Sequence, residues 1–259
     1  MSQQNNAISG TVRRAAVSAA THRLKIQQLP FVGQEVEFAD GRKYRYVSFA
    51  SSGDVGVGIV VGYNPLSTAE KTNQPTAAVA IGERTFTVNS NGVDYFGAGA
   101  GIIAQNEMAG GYLNVTDDLG EGYSYKIKSN TAGTAAVDAT ITLEEGVVVA
   151  LDATSDIQIV RNPFEEVVVG TASTLPIGVT VVPTTGSTDS EVQMAWVQTR
   201  GVGVIGVGAA VSVGDPLAPS TAGAVITKID TTASDSLLQV GIALDECANG
   251  FVSAYIQIG

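Results

Sequence analysis

Short apolar runs, cut by glycine, asparagine or aspartate, recur along almost the whole chain. Examples are segments 85–88, 140–143, 147–151, 157–160, 167–169, 179–182 and 252–258. Runs this short between turn formers predict strands, because a strand completes its burial in a few residues whereas a helix needs several turns. Segment 43–49 alternates polar and apolar side chains as a half-buried strand should. It follows Asp40-Gly41, a hairpin-turn dipeptide. The same reading predicts strands at 55–61, 77–81, 112–116, 123–128, 193–199, 202–207, 209–213, 224–229 and 240–244. Asn64-Pro65 breaks one run, and Arg161-Asn162-Pro163 closes the middle section. Beyond residue 28 no window sustains a 3.6-residue apolar period over three turns.

The expected fold is therefore all-β, built of antiparallel sandwich or barrel modules with glycine-rich hairpins and a short N-terminal arm. The arm spans 1–28, polar, alanine-rich and basic, either extended or helical over 12–24. A first β-domain is expected over 29–170. A second follows over 171–259, the boundary at Gly170 marking the onset of Ser/Thr/Pro/Gly loops.

Composition narrows the function classes. The 259 residues are 44% hydrophobic and 15% charged, with 30 glycines but only 6% aromatics, so small side chains do much of the packing. Net charge is −11, and Arg13, Arg14, Arg23 and Lys25 lie in a stretch with no acid before Glu35. An acidic body argues against nucleic acid, whose binding needs clustered cations. The basic arm is instead suited to an acidic protein surface, unless it is simply a solvated terminus. No stretch approaches the ~18 apolar residues of a membrane helix, and the start lacks the apolar core of a signal peptide. A soluble protein made in the cytoplasm is expected.

Catalytic chemistry is poorly represented. The one histidine, His22, lies in the polar leader, which argues against Ser-His or Cys-His nucleophiles and histidine metal sites. The one cysteine, Cys247, cannot form an intrachain disulfide and reads as a small buried hydrophobe beside a turn. Asp117, Asp118 and Glu121 share a glycine-containing loop, a weak candidate for Ca²⁺ whose spacing departs from the helix–loop–helix pattern. Glu144-Glu145 and Glu165-Glu166 are adjacent pairs, which on a strand point to opposite faces. Gly201-Val202-Gly203-Val204-Ile205-Gly206 spells a dinucleotide fingerprint, but strand and turn signals follow it where a helix is required. It reads as a glycine-rich strand closely approached by another backbone. Tyr44/Tyr46 and Tyr123/Tyr125, each pair two apart, read as core or subunit-contact aromatics. No enzyme activity, cofactor or metal is expected.

Several segments then occur together: Asp40-Gly41-Arg42-Lys43-Tyr44-Arg45-Tyr46, Gly111-Tyr112, Gly120-Glu121-Gly122-Tyr123-Ser124-Tyr125-Lys126-Ile127, Thr142-Leu143-Glu144 and Val149-Ala150-Leu151. Asn162-Pro163-Phe164, Trp196-Val197-Gln198-Thr199 with Gly201, and Val240-Gly241-Ile242-Ala243-Leu244 before a last strand complete the set. In this order they resemble a family of tailed-bacteriophage structural proteins similar to capsid decoration, or cement, proteins. The resemblance covers about residues 29–259 and rests on turns and strand edges.

That resemblance implies a virion location on the capsid exterior, the major capsid protein as partner and self-association as a homotrimer. It implies head stabilisation as the function and carries over no catalytic residue. Arg13, Arg14, Arg23 and Lys25 are the capsid-contact candidates. The competing reading is a phage fibre or receptor-binding β-protein that recognises a bacterial surface glycan, with Tyr63, Tyr95 and Tyr112 as a sugar platform.

Overall fold

The structure, a computed structural model, describes residues 30–50, 54–65, 72–88, 103–133, 138–184, 193–220, 223–227 and 238–258. The arm 1–28 lies outside them. Sixteen strands and no α-helix occur among the described residues, as the all-β expectation holds. No helix among them is long and apolar enough to cross a membrane.

The chain divides into two compact units: residues 1–64 with 164–259, and residues 65–163. The expected split at Gly170 differs from this division, since Gly170 lies inside the first unit. The second unit begins at Pro65 and ends at Pro163, so an Asn-Pro step stands at each end of it. Proline lacks the N–H that a strand ladder needs and pushes the preceding residue toward extended or turn geometry, so the chain leaves a sheet there. Of the Ser/Thr/Pro/Gly texture after residue 170, residues 171–175 are a turn within one unit and Pro176 already begins a strand.

The first unit holds β1 (Glu35–Glu37), β2 (Lys43–Phe49), β3 (Val60–Gly62), β10 (Val168–Val169), β11 (Pro176–Thr180), β12 (Gln193–Val207), β13 (Pro216–Pro219), β14 (Val225–Thr227), β15 (Gly241–Ala243) and β16 (Gly250–Gln257). Its spine is β12, at 15 residues. The first half of β12 pairs antiparallel with β2 and, at Val197 and Gln198, with β11. Its second half pairs with β16 from Arg200↔Gln257 to Val207↔Gly250. Val207 also meets Val225 of β14 in a parallel pairing. The path β12-β14-β13-β15-β16 thus returns to β12 and closes a small barrel. Ile205, Val207, Leu217, Val225, Ala243, Val252, Ala254 and Ile256 belong to one buried cluster in this ring of strands.

Segments 193–199 and 202–207, expected as two strands, form one. The register shifts between Gln198 and Arg200, and Gly201 takes a φ of 92°. A bulge beside a left-handed glycine re-aims a strand without ending it. At Gly201 a Cβ would sit 3.0 Å from the Arg42 Cα, so both space and backbone reserve the position for glycine.

The second unit holds β4 (Thr72–Asn73), β5 (Thr85–Val88), β6 (Tyr112–Asp117), β7 (Ser124–Asn130), β8 (Ala139–Leu143) and β9 (Asp156–Val160), in the antiparallel order β4-β9-β6-β7-β8-β5. Beyond β4, a bridge of Pro75 to Val88 brings the chain back against β5. Leu113, Val115, Ile127, Ile141, Leu143, Ile157 and Ile159 fill its core from alternate positions. Segments 77–81 and 147–151, expected as strands, are loops joined by a single bridge, Val79 to Leu151, with Val79, Val147 and Leu151 buried and Ile81 and Val148 exposed. Segment 209–213 likewise holds only a bridge of Val211 to Cys247. In each, one or two apolar side chains reach a core without ladder partners, while the rest of the run stays at the surface.

One polar knot lies inside the second unit. The Arg161 guanidinium pairs with Oε1 of Glu107, with both side chains largely buried. The other Glu107 oxygen accepts the Ala104 N–H at 2.8 Å. Asn130 accepts the Met108 N–H at 2.9 Å and donates to the Ala104 carbonyl at 2.9 Å. These bonds fix turn 104–110 against β7 and the end of β9.

Two outcomes are expected. Arg161→Ala, which strands the Glu107 carboxylate, lowers the stability of the second unit by about 3 kcal/mol, read by chemical denaturation. Gly201→Ala destabilises by more than about 1 kcal/mol, because alanine is strained at positive φ; the same measurement checks it.

Candidate interaction surface

The two halves of β12 differ in how they are covered. Around the first half, Tyr44, Tyr46 and Trp196 form a buried aromatic cluster with Val36, Phe38, Val181 and Met194 packed against it. Val47, Phe49, Ala195 and Val197 belong to a second cluster. Residues Ala195–Thr199 are all buried.

The second half is buried on its barrel side only. Val202 and Val204 are 56% and 50% exposed, and Phe251 on β16 is 57% exposed. Register places them in rows with further exposed apolar residues. Val202, Tyr255 and Ile242 stand abreast across β12, β16 and β15. In the next row Val204 faces Ser253, whose carbonyl accepts the Leu244 N–H at 2.8 Å. Abreast side chains on adjacent strands lie about 5 Å apart, so the six apolar groups form one contiguous patch. Patches of this kind on a soluble protein mark contact with another molecule.

Glycine shapes one end of the face. The Gly206 N–H donates to the Gly58 carbonyl at 2.8 Å. A Cβ on Gly58 would come within 2.9 Å of the Phe251 ring. The Gly201–Gly206 stretch is therefore strand, with another backbone against it, and no helix N-terminus follows to hold a phosphate.

Charge brackets the patch. Arg200, one row beyond Val202, donates from its guanidinium to the Tyr255 hydroxyl. That bond and the nearby phenol, with a smaller contribution from Glu37, hold Arg200 above its ordinary value. At the opposite end Asp245 and Glu246 occupy the exposed turn between β15 and β16, where the Asp245 carboxylate accepts the Glu246 N–H at 2.9 Å.

Of the positions singled out in the sequence, Arg13, Arg14, His22, Arg23, Lys25 and Tyr95 lie outside the described residues. Tyr63 packs against the first unit's core, and Tyr112 is exposed on β6 of the second. Tyr44 and Tyr46 are core residues. Tyr123 is exposed and stacks on the buried Tyr125, with ring centroids 6.4 Å apart. Cys247 is half-buried against the barrel core.

The acidic loop is a tied turn. Asp117 accepts the Asp118 N–H at 2.9 Å, and the Asp118 carbonyl accepts the Glu121 N–H at 3.1 Å. Ser155 donates to the Leu119 carbonyl at 2.8 Å. Among the described residues no three His, Cys, Asp or Glu side chains converge as a metal cage would.

No family model, curated protein or solved structure matches this chain. The apolar face was only half legible in sequence. Segment 202–207 is without polar residues at both odd and even positions, which reads equally as a central strand buried on both sides, and in 252–258 Tyr255 adds an apolar ring to the polar positions Ser253 and Gln257.

With the loop closed by its own backbone bonds, saturating EDTA is expected to leave the melting temperature unchanged. A large drop on chelation, restored by Ca²⁺, assigns Asp117, Asp118 and Glu121 as ligands.

Proposed function

We propose that this protein is a structural component of a tailed-bacteriophage head, which decorates and stabilises the capsid by binding the major capsid protein. The observation that carries the reading is the exposed three-strand apolar face of the barrel, a surface suited to protein contact. It accompanies a described chain of close-packed β-modules with small side chains. The resemblance of residues 29–259 to decoration proteins supplies the partner. The proposal assigns the protein no catalytic activity. Its effect is mechanical: buried area added across capsomer joints, with many weak copies reinforcing one another.

In this reading the basic arm is a tether. Arg13, Arg14, Arg23 and Lys25 approach an acidic capsid surface and order on contact. Each exposed ion pair contributes only about 0–1 kcal/mol, so ordering also buries apolar arm residues such as Val12, Val17 and Leu24.

The test is cosedimentation of the purified protein with assembled heads of its phage. Near-stoichiometric binding is expected, with heads that resist heat better when decorated. Deleting residues 2–25 should leave circular dichroism strand-dominated while weakening binding and flattening its salt dependence. A full-length protein that does not bind heads overturns the function. A truncated protein that binds with unchanged affinity and salt dependence overturns the tether.

A further inference from the structure

We propose that the outward face of β15, β16 and the second half of β12 is the contact between two copies of this chain, packed sheet to sheet across a two-fold axis. The inference rests on reading the protein as a protein-binding β-module and names the occupant of its apolar face.

Charge selects the occupant. A chain of net charge −11 repels a second copy over most of its surface. Self-contact therefore needs a face without acids. The chain has 25 acidic residues, and none falls in 200–207, Gly241–Ala243 or Gly250–Gln257. The interior of the face offers Val202, Val204, Ile242, Leu244, Phe251 and Tyr255, with Ser253 as the polar position between them.

The ends of the face are oppositely charged. Arg200 stands in the row of Gln257, while Asp245 and Glu246 lie in the exposed turn that follows Leu244, whose N–H donates to the Ser253 carbonyl. Four strand positions separate the Gln257 and Ser253 rows, roughly 13 Å at the usual rise per residue, and the acidic turn lies beyond the second. A two-fold axis lying between the sheets and running across the strands turns the second copy end for end. Each strand then covers its own counterpart, the row of Val202 and Tyr255 covers the row of Val204 and Ser253, and the Arg200 end of each copy comes to the end of the other that carries Asp245 and Glu246. Such a contact is isologous: the same patch serves both copies, and each charged pair occurs twice. The hydrogen bond to Tyr255 holds the Arg200 side chain beside the face, which lowers the ordering cost on association. A head-to-tail ring, as in the trimer that the resemblance implies, would place two different surfaces together.

The test is the mass of the full-length chain in solution, by light scattering and sedimentation across micromolar concentrations. A two-chain particle is expected. Val204→Asp, which sets two carboxylates into the apolar contact, should raise the dissociation constant by roughly 100-fold. Val202→Thr, which keeps a β-branched side chain and so spares the strand, should weaken it by about tenfold. Arg200→Asp should weaken association about tenfold, and adding Asp245→Arg with Glu246→Arg should restore it. Circular dichroism and unfolding show that each variant is folded.

A single-chain particle at all concentrations, a three-chain particle, or a two-chain particle indifferent to Val204→Asp and Val202→Thr overturns the proposal. If the protein becomes two-chain only after deletion of residues 2–25, the arm is the native occupant and the proposal falls. Capsid binding is measured in parallel on the same samples. A single chain whose capsid binding is lost with Val204→Asp gives the face to the capsid and leaves the decorating function standing. A two-chain particle that ignores capsids leaves the two-fold contact standing and removes that function.

Discussion

The first unit depends on satisfying the backbone of one strand. A 15-residue strand carries more donors and acceptors than a single neighbour can meet. In β12 they are distributed among β2, β11, β14 and β16, with Arg200 in register with both Lys43 and Gln257. The bulge and the left-handed Gly201 stand at that hand-over point. Without them the strand would run straight past the barrel, and β16 would have no edge on which to close it. The glycine content thus has a local purpose here, because bend and close approach fall at the same place.

The second unit solves a different problem. Its strands are short and its sheet is purely antiparallel, with apolar positions alternating cleanly inward. The opposite side carries threonines, and Thr85 lies 3.3 Å from Thr142 between hydroxyl oxygens. What alternation cannot hold is the turn at 104–110, where Met108 is buried and its N–H needs the Asn130 side chain as acceptor. Arg161, Glu107 and Asn130 bond to that turn, so a buried ion pair serves to position backbone rather than to perform chemistry. Such a pair fixes conformation more than it adds stability.

The apolar barrel face sets the direction of the functional reading. Along one strand, comparable apolar content is roofed by Phe38 and Val36 at one end and left open at the other. Exposed valine and phenylalanine on a rigid sheet suit association, because their few rotamers cost little to order. Arg200 on one side and Asp245 and Glu246 on the other give the face oppositely charged ends.

The sequence by itself determined the all-β class, because turn residues interrupt every apolar run before a helix can form. It placed β2, β5 and β9 within a residue, since their alternation and flanking turns are local properties. It also identified the glycine fingerprint as strand. It contained both junctions of the second unit, Asn64-Pro65 and Asn162-Pro163, but not that the chain returns to the same sheet after them. That return depends on β3 pairing with β10 and β11, more than a hundred residues apart in sequence for every pair. Which apolar runs become loops, as at 77–81 and 147–151, was likewise decided by the availability of a ladder partner. The open face of β12 and β16 was decided last. A side chain's burial depends on what packs over it, and alternation along one strand carries no information about that neighbour.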